Sequence, residues 1–91
     1  MDRKTFLRIT RALADGRRFE ILERIASAQD EISCLALKAQ IPISQATLSH
    51  HIKELATAGL IEIRRETKYM FLRMRRGTWR QYMNRLSKIA P

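Results

Sequence analysis

One cysteine, Cys34, stands among the 91 residues. A lone thiol cannot close an internal disulfide, and it leaves no Cys-x-x-Cys framework for a structural metal. Glycine and proline are scarce, three and two. The chain therefore has no glycine-rich phosphate loop, no flexible linker and no low-complexity tract. No apolar run approaches the ~18 residues of a membrane-spanning helix, and the amino terminus lacks the apolar core of a secretory signal. There is no nucleophile motif and no paired-carboxylate loop, so an enzyme is not expected. Acids are few: nine Asp and Glu stand against eighteen Lys and Arg, a formal charge of +9. The hydrophobic share, 45%, is ordinary for a folded chain and excludes a disordered tail. These absences predict one cytoplasmic domain over residues 1–91, with no membrane partner and no cofactor. Its basicity points to a polyanion.

The stretch from Ser44 to Gly59 organises what is present. It opens on a residue that can cap a helix and closes on one that can stop it. Leu48, Ile52 and Leu55 recur at helical spacing on one side. Ala46, His50, Lys53 and Thr57 fall on the other, a polar face unable to form a core. Upstream, residues 3–14 predict a helix with Phe6, Ile9, Thr10 and Leu13 on one stripe. Asp15-Gly16 breaks it, and Asp15 can cap a second helix over 17–27, with Ile21, Leu22 and Ile25 inward. Residues 31–40 predict a third helix carrying Ile32, Leu35 and Leu37. Pro42 then forces a tight turn from Ile41 to Ser44. Helix, short turn, helix is the spacing of a helix-turn-helix unit.

After Gly59 the period changes to two. Residues 60–65 and 69–74 alternate, which predicts a hairpin. Its tip, Glu66-Thr67-Lys68, lacks glycine, so a longer, irregular loop is expected there. Gly77 ends the hairpin, and 78–89 predict a last helix with Trp79, Tyr82, Met83 and Leu86 at helical spacing. The order α-α-α-α-β-β-α, mainly helical with a small β-hairpin, is that of a winged helix-turn-helix. Apolar stripes on both terminal helices, 3–14 and 78–89, predict a dimer interface built from Phe6, Ile9, Leu13, Trp79, Tyr82, Met83 and Leu86.

The runs ALADGRRFEILERIA and ISQATLSHHIKELATAGLIEIRRE resemble the ArsR family of bacterial winged-helix repressors across roughly residues 6–75. The most specific piece is Ser44-Gln45-Ala46-Thr47-Leu48-Ser49-His50-His51-Ile52-Lys53-x-Leu55-x-x-Ala58-Gly59-Leu60. The resemblance implies a homodimeric, nucleoid-associated repressor on a palindromic operator of double-stranded DNA, released by an inducer. The chain departs from the family in carrying Asp15-Gly16-Arg17-Arg18 in place of Asp-Pro-Thr-Arg, and Thr67 in place of a wing glycine. The family's Cys-x-Cys metal pair falls on Ser33 and Leu35, with Cys34 between them. Its other site, built from Asp, His and Glu on the closing helix, finds no acid and no histidine in 78–91. No standard metal site is therefore expected, and the inducer stays unnamed, with a small-molecule or redox effector left open.

A recognition helix reads bases with its amino-terminal residues. Gln45 can pair bidentately with adenine, Ser49 and His50 can bond base or phosphate, and Ala46 offers a methyl contact to thymine. Ser44, Thr47 and Lys53 complete the face, Thr47 and Lys53 toward phosphate. The family's base-reading positions fall on these same residues. Arg64, Arg65, Lys68 and Arg73 on the wing, with Arg17, are the expected phosphate contacts. His51, at the flank of the buried stripe, is expected to pack. Two other readings use the same residues: a winged-helix protein-interaction module, and a DNA-binding redox sensor acting through Cys34.

Overall fold

Four of the five helices begin on a side-chain cap. Asp2 accepts the backbone N–H of Thr5 (2.7 Å), Asp15 that of Arg18 (2.9 Å), Ser33 that of Ala36 (3.0 Å) and Ser44 that of Thr47 (3.1 Å). Each such cap satisfies an orphan donor and contributes about 1 kcal/mol. In a computed structural model describing residues 1–91, these caps open α1 (Arg3–Leu13), α2 (Gly16–Ser27), α3 (Cys34–Gln40) and α4 (Gln45–Thr57). A short strand β1 (Ile32–Ser33) precedes α3, and β2 (Ile61–Glu66), β3 (Tyr69–Met74) and α5 (Arg76–Ser87) follow α4. The turn between α3 and α4 is as Pro42 dictates: Ile41 is extended (φ −129°, ψ 127°), and Ile43 donates back to its carbonyl at 2.9 Å.

Gly59 stops α4 and aims the wing. It adopts φ 80°, where a side chain would be strained. Its N–H donates to the Ala56 carbonyl and that of Leu60 to the Leu55 carbonyl, both at 3.0 Å. That pair of bonds is a Schellman stop, and its usual hydrophobic contact is supplied by Leu55 and Leu60, both fully buried. The Leu60 carbonyl then accepts from Arg75 at 2.9 Å, which ties the base of the hairpin to the start of α5.

The core is one cluster in which Ile21 and Ile25 of α2, Leu37 of α3, Leu48, Ile52 and Leu55 of α4 and Leu72 of β3 meet. The sheet, ordered β1-β3-β2 and antiparallel throughout, covers one side of the helices.

The fold is the winged helix-turn-helix expected, with four local differences. Residues 32–33 form a strand against Leu72 and Phe71 of β3, so the order is α-α-β-α-α-β-β-α. Because α3 starts at Cys34, Leu37 is buried, while Leu35, two positions or 200° away, points outward and is 72% exposed. The hairpin tip is shorter than its sequence suggests. Glu66 pairs with Tyr69, leaving only Thr67 and Lys68 in the turn. Thr67 takes the left-handed conformation (φ 52°) that a glycine would otherwise fill, and its hydroxyl donates to the Glu66 carbonyl. Finally, α5 begins two residues earlier than its apolar spacing indicates and takes Gly77 into its first turn; Ile89 lies beyond its end and is exposed.

Candidate nucleic-acid interface

The cap at Ser44 fixes the start of α4, and the buried stripe Leu48, Ile52 and Leu55 fixes its roll. What remains outside is continuous: Ser44, Gln45, Ala46, Thr47, Ser49, His50 and Lys53 are all exposed. Part of this surface is held in place by its own bonds. Ser44 Oγ donates to Thr47 Oγ1 (2.9 Å) while accepting the Thr47 N–H, and Gln45 Nε2 donates to Ser49 Oγ at 3.2 Å, one turn away. A glutamine restrained in this way loses less side-chain entropy when it meets a base edge.

His51 packs, as its position at the flank of the stripe implies. It is 7% exposed, and its Nδ1 accepts from Arg18 Nε at 3.2 Å. Arg18 also donates to the Ala12 carbonyl (3.4 Å), so one guanidinium joins α1, α2 and α4. Burial lowers the His51 pKa; the nearby Asp15 carboxylate opposes this and the Arg18 charge adds to it. The imidazole is thus neutral at pH 7, the form able to accept that hydrogen bond. Arg18 is thus turned inward, unlike its neighbour Arg17. A buried acceptor at His51 signals that some donor must face it, but not which one.

The wing divides into tied and untied cations. Arg64 lies 4.4 Å over the Phe71 ring and bonds Glu31 (2.5 Å) and Glu66 (3.3 Å), which raise its pKa. Arg73 pairs with Glu62 at 3.2 Å, and Arg17 on α2 pairs with Glu20 at 2.8 Å. Arg65 and Lys68 have no carboxylate partner. Strand alternation explains the split: Glu62, Arg64 and Glu66 share one face of β2 with the cross-strand Arg73, while Arg65 emerges on the other. Of the five cations on the wing and α2 assigned to phosphate by sequence, the structure leaves two free and engages three within the chain.

Cys34 is half-buried, beside Gln45. Burial raises its pKa, with Gln45 pulling weakly the other way. The thiol form therefore predominates at neutral pH. No three His, Cys, Asp or Glu side chains converge on one point.

The residues assigned to dimerisation separate as well. Ile9 and Tyr82 are buried in the chain's own core. Phe6 lies between Tyr82 (ring centroids 5.1 Å apart) and the Arg85 guanidinium (5.0 Å). Leu13 and Trp79 are half-buried against the core. Met83 and Leu86, 51% and 42% exposed, form the open part of the stripe.

The charge lies elsewhere than its total suggests. Residues 15–74, which hold the helix-turn-helix and wing, carry nine Lys and Arg against eight Asp and Glu. The excess sits on the terminal helices, where acid-free stretches were the sequence signal.

Comparison with known proteins places this geometry. A family model described as a helix-turn-helix domain matches residues 1–64. A Halobacterium salinarum protein named as an arsenical resistance operon repressor is 35% identical over 78 residues, 86% of this chain; the match spans 57% of that relative's length. The structure superposes on a homodimeric winged helix-turn-helix DNA-binding domain of Mycobacterium bovis with a TM-score of 0.76 and 28% identity, covering 94% of this chain and 77% of that one. An ArsR-like transcriptional regulator from a Rhodococcus species shares the fold with a TM-score of 0.84 at 23% identity, over 94% of this chain and 79% of that one. This chain belongs to the helix-turn-helix domain family and has the winged fold seen in the ArsR-like Rhodococcus regulator.

Proposed function

We propose that the chain is a sequence-specific, double-stranded-DNA-binding transcriptional regulator that works as a homodimer in the cytoplasm and acts by binding alone, as a repressor. The observation that carries this reading is the capped α4, whose buried stripe presents Gln45, Ala46, Ser49 and His50 together on an open polar face. That is the part of a recognition helix that meets base edges in the major groove. Lys53, Arg65 and Lys68 supply free cations around it for the phosphates. The homodimeric Mycobacterium bovis domain supports pairing, and the Halobacterium salinarum relative supports the direction of regulation. Exposed Met83 and Leu86 on α5 are the surface on which a second copy would close.

Selection from a random-sequence duplex pool tests this reading. The expected product is an inverted repeat, its half-sites one helical turn apart or a multiple of it, bound by two protomers. A pool that shows no enrichment would reject it in favour of a protein-interaction module.

A further inference from the structure

The free charge of this molecule is displaced from its recognition helix. Arg3, Lys4, Arg8 and Arg11 lie on α1 with only Asp2 beside them. Arg75, Arg76, Arg80, Arg85 and Lys88 lie on or beside α5, where residues 75–91 contain no acid. These two ends therefore hold eight of the nine net positive charges, and the intervening residues hold one. At 100° per residue, Arg3, Arg11, Lys4 and Arg8 span about 140° of α1. That arc is distinct from the side that buries Ile9 and Ala12 and from the flank that carries Phe6 and Leu13. All four are exposed, and none has a carboxylate partner. Elsewhere this fold does pair cations with acids, as at Arg64 and Arg73. A row left unpaired on one helix is suited to an external anion.

We propose that the outward face of α1 is a second nucleic-acid surface, which holds duplex backbone without sequence choice; this rests on the reading of α4 as the recognition helix. The row runs about 12 Å from Arg3 to Arg11. Over that length a duplex presents roughly seven phosphate charges, enough for every cation in the row. The row is also joined to the reading helix. The Ala12 carbonyl, next to Arg11, accepts from Arg18, which donates in turn to His51, the neighbour of His50. The carboxyl end of α1, where Arg11 lies, is thereby packed against α4. The reading face itself leaves few cations free, so α1 would supply much of the sequence-independent affinity.

The test compares three proteins on a short random-sequence duplex across about 50 to 200 mM salt. They are the wild type, R3Q/K4Q/R8Q/R11Q and Q45A/H50A/K53A, each checked by thermal melting. The α1 variant is expected to bind the random duplex more weakly, with a log–log salt slope shallower by about 2 to 4. The α4 variant is expected to keep most of its random-duplex affinity, losing about one unit of slope with Lys53. Should the fourfold variant fold poorly, R8Q/R11Q is expected to show about half the change. An α1 variant indistinguishable from wild type overturns the inference while leaving the α4 reading to be judged on its selected duplex. Wild-type binding to phosphatidylserine vesicles but to no duplex would also overturn it, in favour of a membrane surface.

Discussion

At the residue scale, His51 shows how one buried side chain links the fold to pH. Its Nδ1 accepts from Arg18 only while the ring is neutral. Burial holds its folded pKa below the ordinary histidine value of 6.5, so the unfolded chain takes up this proton first as pH falls. Stability from this group is thus complete above about 6.5 and declines as pH drops from there through the lowered folded value. Denaturant melts between pH 7 and 5 are expected to show wild type losing more stability than His51→Gln, which can accept a bond but does not titrate. Parallel loss in both proteins would assign the effect elsewhere. The capping carboxylates of Asp2 and Asp15 titrate below their usual 3.8 and stay outside this window. His51 was legible as a packing residue from its place on the helical wheel. Its partner was not, because thirty-three residues separate it from Arg18 and no local pattern joins them.

At the scale of elements, the helix-turn-helix was readable because each boundary is enforced locally. Ser44 caps, Pro42 turns and Gly59 stops. Gly59→Ala places a Cβ at φ 80° with no atom within 4 Å of it, so the cost is that of the backbone alone. About 1–2 kcal/mol is expected, a fall in melting temperature of several degrees, with the same random-duplex affinity per folded molecule. A variant as stable as wild type would show that the Schellman stop is not what holds this corner. Strand β1 escaped the sequence reading because two residues cannot display a period. Its identity comes from pairing with Leu72 and Phe71, about forty residues away. The wing tip escaped for a different reason: Thr67 occupies a conformation that side chains seldom adopt. The wing's cations also divide by element. Lys68→Ala and Arg65→Ala are each expected to reduce the salt slope of DNA binding by about one unit, whereas Arg64→Ala, already committed to Glu31, is expected to act mainly on wing stability. Equal slopes for Arg65→Ala and Arg64→Ala would refute that division.

For the whole molecule, the terminal helices have two tasks. Their inner residues Ile9, Phe6 and Tyr82 close the chain's own core, and Thr10 Oγ1 meets Tyr82 Oη at 2.9 Å between them. Their outer residues Met83 and Leu86 are exposed, and we propose that they face a second copy. Met83→Glu/Leu86→Glu is therefore expected to give folded monomers with weakened affinity for the selected duplex, read by sedimentation. A variant that stays dimeric would move the interface away from α5. Sequence spacing assigned the whole stripe to dimerisation, since a wheel shows which residues share a side and not which neighbour covers them. The central claim is that α4 reads bases, and it is tested most directly by measuring wild type and His50→Ala on the selected duplex and on random duplex at one salt concentration. His50→Ala is expected to lose about 1–3 kcal/mol on the selected duplex, roughly five- to 150-fold, and almost nothing on random DNA. An equal loss on both would make His50 a phosphate contact and contradict the account.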